Sequence, residues 1–184
     1  MLRIYFVGAH STGKTTMARY TAQQYGLPLL TEVARLLLAE KELTLETLRS
    51  DIQAVNAYQR GILAKQLSEE DGKEHFVSDR SFDNLAYACE HTTILSELLK
   101  KQEINNYIES LRKPDNLIFF IRPCTELLFN DGIREKVKWD DVIKIDSHVK
   151  FMLEMWKLRY FQINTPCMQE RIRMVEAVMS FHKL

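Results

Sequence analysis

The chain has 184 residues, 46% of them hydrophobic and 27% charged, with 25 Lys plus Arg balanced by 25 Asp plus Glu. That suffices for one buried core, while the neutral balance excludes a global field that recruits nucleic acid or a membrane, so any anion site must be built locally. Cys89, Cys124 and Cys167 lack the spacing of a disulfide framework and suit reduced thiols in the cytoplasm; no signal-peptide h-region or apolar run of about 18 residues is present.

Leu2–Val7 is a short apolar run followed at once by Gly-rich turn chemistry and then by helical spacing from Lys14 to Tyr25. Gly26 closes that helix, and Leu27–Leu30 reads as a second strand parallel to the first. Helices are expected over Glu32–Ala39 and Thr44–Leu67, the second with a Thr44 cap and Tyr58 and Gln59 as plausible acceptor contacts. Glu69-Glu70-Asp71-Gly72 is a polar break, and His75–Ser78 is the third strand, ending in Asp79-Arg80-Ser81.

Two helices, Phe82–Glu90 and Leu95–Leu111, precede the most apolar strand, Leu117–Ile121, which Pro123 terminates. The polar, basic stretch Asn130–Lys138 reads as a lid segment at about 130–140. A helix over Asp141–Leu158, a fifth strand over Tyr160–Ile163 and a closing helix over Cys167–Phe181 complete the chain. Alternating strands and helices without a linker predict a single α/β domain over 1–184, with a parallel sheet covered on both faces.

Gly8-Ala9-His10-Ser11-Thr12-Gly13-Lys14-Thr15 satisfies G-x-x-x-x-G-K-[ST] at every fixed position, between a predicted strand and a predicted helix. Glycines at 8 and 13 let backbone N–H groups converge on phosphate, and the helix adds its positive dipole end. His10, Ser11, Thr12 and Thr16 complete the nucleotide cradle, His10 as a loop residue and not a catalyst. Lys14 is expected to reach the β- and γ-phosphates, and Thr15 to offer its hydroxyl to Mg²⁺, which needs few protein ligands.

In an open parallel sheet the ligand lies beyond the carboxyl ends of the strands. Glu32 with Arg35 follows the second strand, Asp79 with Arg80 the third, and Asp131, Arg134, Lys136 and Lys138 the fourth. Phosphoryl transfer needs a carboxylate at the acceptor, an acidic group near Mg²⁺ and cations around the moving phosphoryl group. Glu32 is the candidate base, Asp79 the candidate ligand of Mg²⁺ or its water, Arg80 the candidate phosphate clamp, and Arg134 a cation that could close from the lid.

The loop Gly8–Thr15, Glu32-x-x-Arg35, Asp79-Arg80-Ser81 with Asp83 and Tyr87, and Asp131-Gly132-Ile133-Arg134 together resemble the P-loop nucleoside and nucleotide kinases. Most similar are NadR-like ribosylnicotinamide kinases and related AAA-type ATPase domains. The resemblance spans nearly the whole chain and implies a five-stranded three-layer core with strand order 2-3-1-4-5, ATP as donor and a lid after the fourth strand. It makes Glu32 the base and Arg80 its partner at the phosphate, and it places Asn164-Thr165-Pro166 where such kinases contact adenine. The lid departs from nucleoside monophosphate kinases in lacking their run of arginines, which leaves transition-state charge to Arg80, Arg134 and Lys138.

The leading expectation is an ATP- and Mg²⁺-dependent cytoplasmic kinase acting on a nucleoside, nucleotide or nicotinamide riboside-like acceptor, with a homodimer left open. A polynucleotide 5′-kinase is disfavoured by the neutral charge. A regulatory P-loop NTPase is the third reading; no N-K-x-D motif for reading guanine is present.

Overall fold

The computed structural model describes residues 1–31, 51–127 and 138–182. Five parallel strands, β1 (Leu2–Val7), β2 (Leu29–Leu30), β3 (His75–Ser78), β4 (Asn116–Ile121) and β5 (Phe161–Ile163), form one sheet in the order β2-β3-β1-β4-β5. The described helices are α1 (Lys14–Tyr25), α2 (Ile52–Glu70), α3 (Asn84–His91), α4 (Leu95–Leu98), α5 (Gln102–Leu111), α6 (Trp139–Met155) and α7 (Met168–Phe181). The fold and strand order expected from the sequence are those observed.

Strand alternation distributes the core over two faces. Leu2, Ile4 and Phe6 of β1 pack with Met17 and Ala18 of α1 and with Val175 and Met179 of α7. Tyr5 and Val7 face the other way, toward Leu63 of α2, Leu85 of α3, Ile104 of α5 and Val149 of α6. Because both faces are covered, all six residues of β4 are buried, which explains its continuous apolar run. Phe119 of β4 stacks on Phe6 at 5.2 Å between ring centroids. Truncating a ring so enclosed costs about 3–5 kcal/mol.

Helix boundaries differ from expectation by one to three residues in α3 (Asn84–His91, expected from Phe82 to Glu90) and α6 (Trp139–Met155, expected from Asp141 to Leu158), and more deeply in three places. The backbone at Asp51 is extended, and its carboxylate accepts the Gln53 N–H at 2.8 Å, so α2 starts at Ile52 and does not run unbroken from Thr44. Thr44 itself lies outside the described residues, as do Glu32–Ala39. The single helix expected over Leu95–Leu111 is two, parted at Lys101, whose backbone is extended. Leu98 and Ile104, on either side of this break, are both buried. Glu69 and Glu70 belong to α2, not to the polar break, and Glu70 is buried.

Candidate active site

The turn after β1 is strained in the manner phosphate cradles require. Gly8 has φ +142°, and a Cβ there would lie 2.4 Å from the Ile121 carbonyl oxygen at the end of β4, so only glycine lets the loop cross the sheet at this point. Ser11 (φ +58°) and Gly13 (φ +89°) also adopt left-handed backbone conformations. Thr12 Oγ1 donates to the Ala9 carbonyl at 3.0 Å and tightens the loop. Gly13 occupies the cap position of α1 and has no side chain to cap it, which leaves first-turn N–H groups of the kind that can receive an anion.

Lys14 is buried, and its ammonium donates back to the Ala9 carbonyl. Thr15 follows it on α1, and Thr16 is exposed beside it. Thr15 Oγ1 donates to Asp79 Oδ2 at 2.8 Å, joining the P-loop helix to the end of β3. Asp79 is buried, and its N–H is held by the Leu30 carbonyl of β2 at 3.2 Å. Hydroxyl and carboxylate thus lie together beside the phosphate cradle, a donor set that fits Mg²⁺ otherwise held by phosphate oxygens and waters. Among the described residues no cluster of three or more His, Cys, Asp or Glu forms a separate metal site.

Arg80 lies over the Tyr87 ring, 5.1 Å from its centroid, and its Nη1 is 3.5 Å from Asp83 Oδ2. Burial pulls the Arg80 pKa down, but Tyr87, Asp83 and Asp79 outweigh it and hold the guanidinium firmly charged. Asp83 is fully buried and accepts the Ser81 N–H at 2.7 Å. Burial raises its pKa against the opposing pull of Arg80, Lys14 and the Ser81 and Gly8 N–H groups. His10 Nδ1 is 3.2 Å from the Tyr87 hydroxyl, so His10 braces the loop against α3. Tyr58 is buried within reach of the Arg80 charge, and Gln59 is buried next to it in sequence on α2.

The structure therefore brings together Gly8, His10, Ser11, Thr12, Gly13, Lys14, Thr15, Asp79 and Arg80, with Asp83 and Tyr87 of the same motif packed against Arg80. Glu32 and Arg134 lie outside the described residues, as does most of the lid segment. Lys138 is exposed and stands at the residue before α6, without a side-chain capping bond.

Two buried groups escaped the sequence reading. Glu70 accepts Tyr5 Oη at 2.8 Å, Tyr107 Oη at 2.9 Å and Gln66 Nε2 at 2.7 Å, while Tyr107 also meets Ser81 Oγ at 2.8 Å, so the network supports the Asp79-Arg80-Ser81 turn from below. Arg171 of α7 is completely buried against the P-loop. Its signal was positional: residue 171 stands three after Met168 and four before Val175, on the apolar stripe of its helix.

Cys89, Cys124 and Cys167 are free thiols, and among the described residues no helix is long and apolar enough to cross a membrane.

No curated protein matches the chain. Its fold is similar to that of deoxyadenosine kinase from M. mycoides with bound dATP, at 15% identity and TM-score 0.65, covering 98% of this chain and 100% of that one. It is also similar to shikimate kinase from Aquifex aeolicus, at 15% identity and TM-score 0.57, covering 98% and 96%. NadR in complex with NR is 18% identical with TM-score 0.66, covering 90% of this chain and 46% of NadR, so the chain spans about half of that protein. The profile of the family described as AAA domain matches residues 3–171, and the chain belongs to that family.

Proposed function

We propose that the chain is an ATP-dependent phosphotransferase that moves the γ-phosphate of ATP, with Mg²⁺, to a small nucleoside-like acceptor. The observation that carries this reading is the 2.8 Å contact between Thr15 and Asp79 inside a glycine-built phosphate cradle, with the charged Arg80 anchored next to Asp79 by Asp83 and Tyr87. Transfer of this kind depends on positioning and on stabilising charge at the phosphoryl oxygens, not on covalent chemistry by the protein.

In this reading the P-loop N–H groups and Lys14 hold the β- and γ-phosphates, and Thr15 and Asp79 would hold Mg²⁺ directly or through its water. The metal, when bound, supplies neutralisation of the charge building between the β- and γ-oxygens. Arg80 clamps the moving phosphoryl group from the β3 side. Glu32 takes the proton of the acceptor hydroxyl and Arg134 adds positive charge from the lid. Tyr58 and Gln59, on the buried side of α2, contact the acceptor. Reduced thiols and use of ATP suit the cytoplasm.

Deoxyadenosine kinase, NadR and shikimate kinase suggest the acceptors to try first. Purified protein should be incubated with ATP, Mg²⁺ and a panel of nucleosides, deoxynucleosides, nucleotides, nicotinamide riboside and shikimate, and phosphorylated product measured directly. Product with a nucleoside-like member supports the reading. ATP hydrolysis of the same rate with and without every acceptor would replace it with an NTPase.

A further inference from the structure

We propose that Arg171 is a positioning residue that ties the loop after β5 to the P-loop, fixing the nucleoside end of a bound nucleoside triphosphate relative to its phosphates. This rests on the reading of the chain as an ATP-binding protein. Arg171 Nε donates to the Thr165 carbonyl at 2.6 Å and its Nη1 to the Thr12 carbonyl at 2.5 Å. One rigid guanidinium therefore spans two loops that are more than 150 residues apart in sequence.

Each end of this bridge is itself fixed. Thr165 Oγ1 accepts the Cys167 N–H at 3.1 Å and donates to Glu170 Oε2 at 2.5 Å, which locks the loop onto the first turn of α7. Thr12 is locked by its own bond to Ala9. A Cβ at position 13 would lie 2.9 Å from Arg171 Nη1, so glycine there serves the guanidinium as well as the phosphate.

The energetics argue that the arginine is kept for geometry. Its side chain is fully buried, its Nη2 has no hydrogen-bond partner among the described residues, and its neighbours are neutral carbonyls and the Cys124 thiol instead of a carboxylate. Burying a charge so incompletely paired is costly, and an apolar residue of similar volume would fill the space more cheaply. The topology supplies what the geometry is for. Asp79 against Thr15 and Tyr87 against His10 mark the β3 side of the P-loop as the side of transfer. Thr165 follows β5, on the opposite flank of β1, where the remainder of the donor nucleotide must extend.

The test compares wild type with Arg171→Met, which removes the bridge but fills the volume, and Arg171→Lys, which keeps the charge but cannot span both carbonyls. Calorimetry with ATP–Mg²⁺ and with inorganic tripolyphosphate–Mg²⁺ separates the two ends of the donor. We expect ATP affinity to fall about tenfold or more in both variants, since a charge-assisted hydrogen bond is lost, while tripolyphosphate affinity changes less than about threefold. Thermal melting identifies any variant that fails to fold, and the lysine variant then decides alone. Unchanged ATP affinity, or equal losses for both ligands, would overturn the coupling. If wild type binds ATP but transfers no phosphate, the kinase reading fails while this comparison still decides the role of Arg171; if wild type binds no ATP, both fall.

Discussion

Thr15 Oγ1 and Asp79 Oδ2 lie 2.8 Å apart, although 64 residues separate them and each sits at the end of a different strand–helix junction. Adjacent parallel strands bring these ends together, since β1 pairs with β3 from Leu2 opposite His75 to Tyr5 opposite Ser78. A metal ion at this pair would face phosphates held by the cradle. Asp79→Asn keeps the shape and removes the charge, so Mg²⁺-dependent transfer should fall about a hundredfold or more, with ATP affinity in the absence of Mg²⁺ unchanged. Steady-state rates over a Mg²⁺ titration check this, and an unaltered rate would remove Asp79 from the site.

Lys14 carries its charge into a buried position and satisfies it on the Ala9 carbonyl, within the loop that a triphosphate would occupy. Truncation to alanine leaves the loop glycines and the helix N-terminus in place but deletes the mobile cation. ATP affinity by calorimetry should drop about a hundredfold, the scale of losing a desolvated charge-to-charge contact. A variant that is folded by circular dichroism and binds ATP as well as wild type would contradict the cradle assignment.

Glycines 8 and 26 both have positive φ, but their surroundings differ. Among the described residues nothing lies within 4 Å of a would-be Cβ at Gly26, whereas at Gly8 the Ile121 carbonyl oxygen stands 2.4 Å away. Gly26→Ala should cost about 1 kcal/mol, the left-handed backbone penalty alone. Gly8→Ala should cost about 2–3 kcal/mol or more, because the loop must also lift from β4. Chemical denaturation of both variants tests the difference; equal losses would show that the close approach to β4 is not what requires glycine at position 8.

The geometry of the loop after β1 was legible because it is local. Gly8, Gly13, Lys14 and Thr15 lie within eight residues, and the positive φ at both glycines is a local demand that the motif itself expresses. The strand ends were legible for a related reason, since apolar runs such as Leu117–Ile121 stop where polar residues begin. What stayed hidden depends on distant partners. Glu70 looks like a surface carboxylate beside a helix end, and only the packing of α5 and β1 shows that Tyr107 and Tyr5 await it inside. The break at Lys101 is likewise a matter of one extended backbone, with Leu98 and Ile104 buried on either side of it, which the run of residues Leu99–Lys101 does not announce.

Glu70 also sets a pH dependence whose sign can be worked out. Burial raises its carboxyl pKa above the ordinary value of 4.5, despite the opposing hydrogen bonds from Gln66, Tyr5 and Tyr107 and the charge of Arg3. The folded protein therefore holds this proton more tightly than the unfolded chain does. Between the unfolded and folded pKa values the native state binds more protons, so the contribution of Glu70 to stability falls as pH rises from about 4.5 and levels off once the folded carboxyl has ionised. Glu70→Gln removes the titration while keeping an oxygen for Tyr107 and Gln66. Subtracting its stability from that of wild type at each pH isolates this residue from Asp83 and Asp146, whose pKa values burial also raises. The difference should move in favour of the variant as pH is raised from 4 toward neutrality, by urea denaturation at constant ionic strength. A difference that stays flat over this range would mean that the carboxyl beneath the Asp79-Arg80-Ser81 turn titrates alike in the folded and unfolded chain.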